Sequence, residues 1–237
     1  MITGSPVRSL AQLPPARAVF LDLTPSQILA VAREKLGSIF SARLGRYRYG
    51  PGVFKMDWAL RGPIPWMAKE VASAATVHLG FGLEEISSSE RDIWRNQAAE
   101  RPFVLLAQPS LFDSTRAPAG MHTAWAYCHV PHGSTVDMSA RIEAQIERFA
   151  SGFRDLILAR NVFSPAELEK RNANLVGGDI NGGAVTLPQL FLRPTARLYS
   201  TSRPELFICS SSTPPGGGVH GLCGYYAARE ALNGVLK

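Results

Sequence analysis

Three signatures that would direct a functional assignment are missing from this sequence. No Gly-x-Gly-x-x-Gly follows a first strand, so the fingerprint that opens a dinucleotide-binding fold is absent from its usual place. No Cys-x-x-Cys occurs, and Cys128, Cys209 and Cys223 outline neither a disulfide scaffold nor a redox pair. No Gly-x-Ser-x-Gly surrounds Ser114, Ser134 or Ser210, which argues against a hydrolase nucleophile elbow. Apolar runs stop well short of the roughly 18 residues that a membrane-spanning helix needs. Met1-Ile-Thr-Gly-Ser-Pro carries no signal-peptide hydrophobic region. A reducing, cytoplasmic location is expected.

Metal ligands are sparse too. His122, His129, His132 and His220 form no closed Cys and His pattern, and neighbours such as Cys128 and His129 point oppositely on a strand. No metal site is expected. The charge is +6, from 25 Lys and Arg against 19 Asp and Glu, and most of the basic residues are scattered arginines. The dense patch is Arg43-Leu-Gly-Arg46-Tyr-Arg48-Tyr. Basic residues interleaved with Tyr47 and Tyr49 can touch nucleic acid, but a tyrosine-rich domain edge with solvated arginines explains them more simply. No nucleic acid partner is expected. The positive balance suits an anionic cofactor, or a peripheral contact with a membrane surface. With 46% apolar residues over 237 positions, the chain can bury one large core or two modest ones.

What is present is most informative near the C-terminus. Thr213-Pro-Pro-Gly-Gly-Gly-Val-His-Gly-Leu-Cys-Gly-Tyr-Tyr-Ala-Ala228 is a glycine-rich turn running into an alanine-containing helix. Such a turn brings backbone N–H groups and a helix N-terminus close to an anion, most naturally a phosphate. Before it, Leu206–Cys209 is a short strand. At the other end, residues 17–24 form a strand, Thr24 caps a helix with Pro25 at N1 and Gln27 at N3, and apolar spacing extends that helix over residues 25–43.

Between these ends, residues 45–70 mix glycine and proline with Tyr47, Tyr49, Phe54, Trp58 and Trp66. Glycine and proline are expected to prevent a long regular element there. The aromatics imply packed loops, as a cavity wall or as plain core. Strands are expected at residues 76–80, 103–107 and 123–130, the last with Trp125, Tyr127 and His129 on one face. A capping box from Ser87 to Glu90 predicts a helix to about residue 99. Met138, Ile142, Ile146 and Phe149 form a helical stripe, and Ser164-Pro-Ala-Glu167 caps a further helix. Residues 172–198 turn irregular.

Tyr49-Gly-Pro-Gly-Val-Phe-Lys-Met-Asp-Trp58, Gly177-Gly-Asp-Ile-Asn-Gly-Gly183 and Cys209-Ser-Ser-Ser-Thr-Pro-Pro-Gly-Gly-Gly-Val-His-Gly221 resemble the phytoene-desaturase-related FAD-dependent oxidoreductases. The resemblance covers essentially the whole chain, aligned with the C-terminal half of that family. It implies an α/β fold: the C-terminal portion of a Rossmann-like, amine-oxidase-like FAD/NAD(P)-binding fold. Into this is inserted a mixed α+β substrate domain, a mixed sheet covered by helices. Residues 1–29 would be the returning segment of the FAD-binding domain, 30–171 the substrate domain, and 172–237 the C-terminal FAD-binding segment. The N-terminal fingerprint would come from a missing domain or a second polypeptide.

The residues implied to hold FAD are Ser210, Thr213, Gly216, Gly217, Gly218, Val219, His220 and Gly221, with Val219 and His220 beside the isoalloxazine. Asp179 would bind a ribityl hydroxyl, or else form an ordinary Asx turn. Asp57 beside Trp58 is a pocket carboxylate or a local cap. Tyr49, Phe54, Trp58 and Trp66 would line a pocket for an apolar small molecule. No catalytic side chain is singled out, because flavin carries the hydride chemistry. The implied activity is dehydrogenation or desaturation. The alternative is a non-catalytic remnant or interaction subunit that uses an exposed apolar face to form a homo-oligomer or a heteromer.

Overall fold

The computed structural model describes residues 2–237. In chain order the strands and helices begin with β1 (Val19–Leu21), α1 (Pro25–Ala32), α2 (Ser38–Gly45), β2 (Gly52–Leu60) and β3 (Thr76–Leu79). Next come α3 (Leu83–Trp94), β4 (Val104–Ala107), β5 (His122–Val130), α4 (Ser139–Glu147) and β6 (Ile157–Phe163). The last are α5 (Pro165–Arg171), α6 (Leu187–Phe191), β7 (Leu206–Ile208) and α7 (Leu222–Asn233). The fold is α/β, with one parallel and one antiparallel sheet. No helix among the described residues is long and apolar enough to cross a membrane.

Contacts divide the chain into two compact units. One runs through Gly50 and resumes at Ala173, and the other is Pro51–Asn172. The first is built on β1 paired in parallel with β7, with Phe20 opposite Phe207. Side chains alternate along β7. Leu206 and Ile208 bury against Ile28, Ala32, Leu36, Phe40 and Leu44 of the α1–α2 region. Phe207 faces the other way and meets Ala227 and Ala231 of α7. Helices therefore cover both faces of the parallel pair.

The helix expected over residues 25–43 is two helices. α1 ends at Ala32, and Gly37 opens α2 as its N-cap. The Gly37 N–H donates to Ser202 Oγ at 2.8 Å, which anchors the break. Past the break, Ile39 of α2 is 72% exposed. Pro25 does occupy N1, but Thr24 makes no side-chain cap. Its hydroxyl is taken instead by Tyr49 Oη at 2.7 Å.

The second unit is a five-stranded sheet ordered β3-β4-β5-β2-β6. A mixed sheet was expected here, but every pairing among the described strands is antiparallel. The inner strand β2, between β5 and β6, lies where glycine and proline were expected to prevent a regular element. Those residues flank it, and Phe54, Met56, Trp58 and Leu60 alternate into the core between them. Fully buried Met138, Ile142 and Ile146 lay α4 on the same face. α3 starts at Leu83, before the expected box at Ser87, and Gly82 is its N-cap. Ser89 Oγ instead accepts the Phe103 N–H at 2.9 Å. The Ser164–Glu167 box forms as expected and opens α5 at Pro165.

Candidate functional site

In the first unit three loop segments converge: residues 47–50, 177–184 and 209–221. The Asp179 carboxylate, 1% exposed, accepts from the Gly50 N–H at 2.7 Å and from the Asn181 N–H at 2.7 Å. The second bond is an Asx turn. The first ties that turn to the end of the Arg–Tyr patch. A Cβ at Gly50 would stand 3.4 Å from both Asp179 Oδ2 and Ala184 Cα, a van der Waals contact that leaves little spare room beside the carboxylate. Tyr47 Oη donates to the Gly182 carbonyl at 2.7 Å, and Ser212 Oγ donates to the same oxygen at 2.7 Å. Burial pushes the Tyr47 phenol up to about 12. Tyr49 is bound to Thr24 and to the Ser26 N–H at 3.0 Å, so it braces the start of α1.

The 209–221 segment leaves β7 and reaches α7 through a folded loop. Ser210 Oγ donates to the Leu23 carbonyl at 2.8 Å, and Thr213 Oγ1 donates to the Ser210 carbonyl at 2.8 Å. Both side chains thus hold the loop, and both are buried. Gly216, Gly218 and Gly221 have φ of +106°, +149° and +65°, which L side chains rarely adopt. Gly217 packs on Asn181, whose Cα would lie 3.2 Å from an added Cβ. Gly216, Gly218 and Gly221 also spell Gly-x-Gly-x-x-Gly, but Cys209–Pro215 separates them from β7, so this is not the tight turn of a first strand. Val219 is fully exposed at the tip. His220 Nδ1 accepts the Leu222 N–H at 3.0 Å, which fixes its ring over the first turn of α7.

The sequence did not single out Arg193, which sits behind this turn. It is 7% exposed, and one Nη2 donates to the carbonyls of Asn181 at 2.6 Å and Ser211 at 2.9 Å. Its Nε is buried with no partner. Buried Cys223 has its thiol 3.5 Å from the carbonyls of Thr213 and Gly216. Arg193 has no local sequence signal, because its partners lie on loops that only the fold brings to it.

The second unit disperses the aromatics expected to share a pocket. Phe54 and Trp58 are 3% and 2% exposed in the core. Trp58 Nε1 donates to buried Glu143 at 3.2 Å, and its ring meets Phe153 edge-on at 5.4 Å. Tyr49 belongs to the other unit. Trp66 does line a cavity of about 180 Å³, with Met67, Val71, Val77, Leu79 and Phe149. The opposite sheet face carries half-buried Trp125, Tyr127 and His129. Trp125 and Tyr127 stack at 6.3 Å, and Lys55 stands 5.6 Å over the Trp125 ring. Asp57 pairs with Lys55, so its carboxylate is neutralised on that face. Among the described residues, no three His, Cys, Asp or Glu side chains gather as a metal site.

No protein-family model matches the chain. It is 29% identical over 245 aligned positions to the rat protein named pyridine nucleotide-disulfide oxidoreductase domain-containing protein 2. That match covers 95% of this chain and 42% of the rat protein. The mouse protein of the same name is 35% identical over 144 positions, covering 55% of this chain and 25% of its own length. The chain thus spans less than half of the curated relatives it matches. An oxidoreductase from Methanosarcina mazei has a similar fold, with a TM-score of 0.52 at 13% identity, over 93% of this chain and 42% of that one. The chain is thus similar to proteins that carry oxidoreductase names.

Proposed function

We propose that this chain is the late portion, or a subunit, of an FAD-dependent oxidoreductase of the phytoene-desaturase-related kind, acting by dehydrogenation or desaturation on an apolar organic substrate. The observation that carries this reading is the turn Gly216–Gly221, where three glycines in left-handed geometry leave backbone open beside a buried, incompletely partnered guanidinium. The oxidoreductase names of the relatives support the same reading.

The residues present fit such a cofactor. Gly216, Gly217 and Gly218 admit close backbone approach, and a side chain at Gly217 would press on Asn181 backbone. Exposed Val219 offers an apolar contact to a ring. Ser210, Thr213 and Asp179 spend their polar atoms on the loops, so their role is to hold the cradle's shape. Bound flavin would supply the hydride acceptor. The chain's own residues would position it and shield it from water. The glycine fingerprint would come from the rest of a longer protein or from a partner polypeptide.

For an apolar substrate, Phe54 and Trp58 are already consumed by the core. The cavity beside Trp66 and the face bearing Trp125 and Tyr127 are the apolar surfaces left to meet it. The test is equilibrium dialysis of the chain against FAD, alone and with the fingerprint-bearing remainder. Retained flavin absorbance that is lost in Gly217→Val is the expected result. No retained flavin in either case would remove the proposal.

A further inference from the structure

Arg193 carries a buried charge that the protein leaves largely unanswered. A guanidinium has five N–H donors. Only Nη2 is used, on the carbonyls of Asn181 and Ser211. Among the described residues no carboxylate lies within 4.0 Å of it, in a chain where nine other ion pairs meet that distance. Nε is buried with no acceptor. Among the described residues Nη1 has no hydrogen-bond partner, and it lies 3.8 Å from where a Cβ at Gly216 would stand. The nearby buried Asp179 spends its oxygens on the Gly50 and Asn181 N–H groups, so the cation lacks a directly paired carboxylate, which is costly, and the usual remedy is an anion with hydrogen-bonding oxygens.

The position of this charge says which anion. It lies directly behind a turn whose glycines expose backbone, at the entry to α7. Helix N-termini and open glycine turns favour anions, and a guanidinium N–H gives a phosphate oxygen a charge-assisted hydrogen bond. We propose that Arg193 is a phosphate-binding residue of the Gly216–Gly218 cradle, anchored through Nη2 by two loop carbonyls so that its free Nη1 meets a phosphate group of the bound ligand. This rests on reading the turn as the cofactor-facing surface, and it adds the residue that selects phosphate-bearing forms of that cofactor. Gly216 serves the same end, because a side chain there would stand between the guanidinium and the ligand.

The test uses the full chain and three probes: inorganic pyrophosphate, FAD and riboflavin, which has the flavin ring without phosphate. Binding is followed by calorimetry, and folding is checked by thermal unfolding. Wild type should bind pyrophosphate, and should bind FAD more tightly than riboflavin. Arg193→Gln should weaken pyrophosphate and FAD by at least about tenfold while leaving riboflavin unchanged. Arg193→Lys should fall between and keeps the test valid if the glutamine variant fails to fold. A merely structural Arg193 would lower all three together. Pyrophosphate binding lost in Arg193→Gln, with no flavin bound by any form, would uphold the phosphate site and remove the flavin reading. Equal FAD binding by wild type and Arg193→Gln, or no pyrophosphate binding by wild type, would overturn the role of Arg193.

Discussion

Replacing Tyr47 by phenylalanine probes the junction on which the cradle is built. The phenol donates to the Gly182 carbonyl at 2.7 Å, and that oxygen keeps a second donor, Ser212 Oγ, at 2.7 Å. The acceptor is therefore not orphaned, and Tyr47→Phe should cost only about 1 kcal/mol at pH 8. The pH dependence is more diagnostic. Burial raises the phenol from 10 to about 12 in the folded chain, so folding favours its neutral form. That stability is fully present below pH 10 and is lost as pH rises through about 12. At about 1.4 kcal/mol per unit, wild type loses roughly 1.4 kcal/mol by pH 11 through this group, and the variant loses none of it. The gap between the two proteins should thus close between pH 8 and pH 11. Urea unfolding followed by far-UV circular dichroism measures this. Tryptophan fluorescence would not, because Trp58, Trp66, Trp94 and Trp125 all lie in the other unit. A gap between the two proteins that stays constant from pH 8 to pH 11 would refute the buried-phenol account.

Other expectations are simpler. The Arg148 hydrogen bond, helped by Gln145, holds the Glu85 carboxyl near 2 instead of 4.5. Its stabilisation is present above pH 4.5 and fades as pH falls toward 2. Glu85→Gln should therefore flatten acid unfolding of the sheet unit as read by tryptophan fluorescence, and an unchanged acid limb would count against this. Ile146→Ala removes a fully buried side chain from the α4 stripe and should cost about 2–5 kcal/mol in urea unfolding. Ser164→Ala removes the Oγ that accepts the Glu167 N–H, leaving the backbone half of the α5 capping box, and should cost about 1 kcal/mol. Gly183→Ala would drive a methyl group into the Tyr47 hydroxyl at a φ of +142°, so it should destabilise the first unit more than either Ser164→Ala or Tyr47→Phe.

The parts of this fold that were legible from sequence are those fixed by local rules. The Met138, Ile142 and Ile146 stripe, the alternation of β5 and the Ser164–Glu167 box each state their structure within a few residues. β2 was hidden because flanking Gly50, Pro51, Gly62 and Pro63 outweighed a clear alternation from Phe54 to Leu60. Gly37 looked like a weak point within one helix, and it is the cap of a second. The glycine turn was legible because its backbone requirement is written as glycine. Its surroundings were not. Arg193, Tyr47 and Ser212 gather through contacts far apart in the chain, and nothing in a lone loop arginine signals that it will be buried. The capacity of Asp179 to form an Asx turn was visible, whereas its second bond to Gly50 needed the tertiary fold.

The central claim is that this chain holds part of a flavin site. The most direct measurement is flavin absorbance of the chain purified from its own cells, taken together with the intact mass of every polypeptide that accompanies it. The account predicts yellow protein, with flavin stoichiometric to a polypeptide carrying the glycine fingerprint, either as the remainder of a longer chain or as a separate partner. Colourless protein with no such polypeptide, from cells where the chain is stably folded, would contradict it and leave the glycine turn as a purely structural entry to α7.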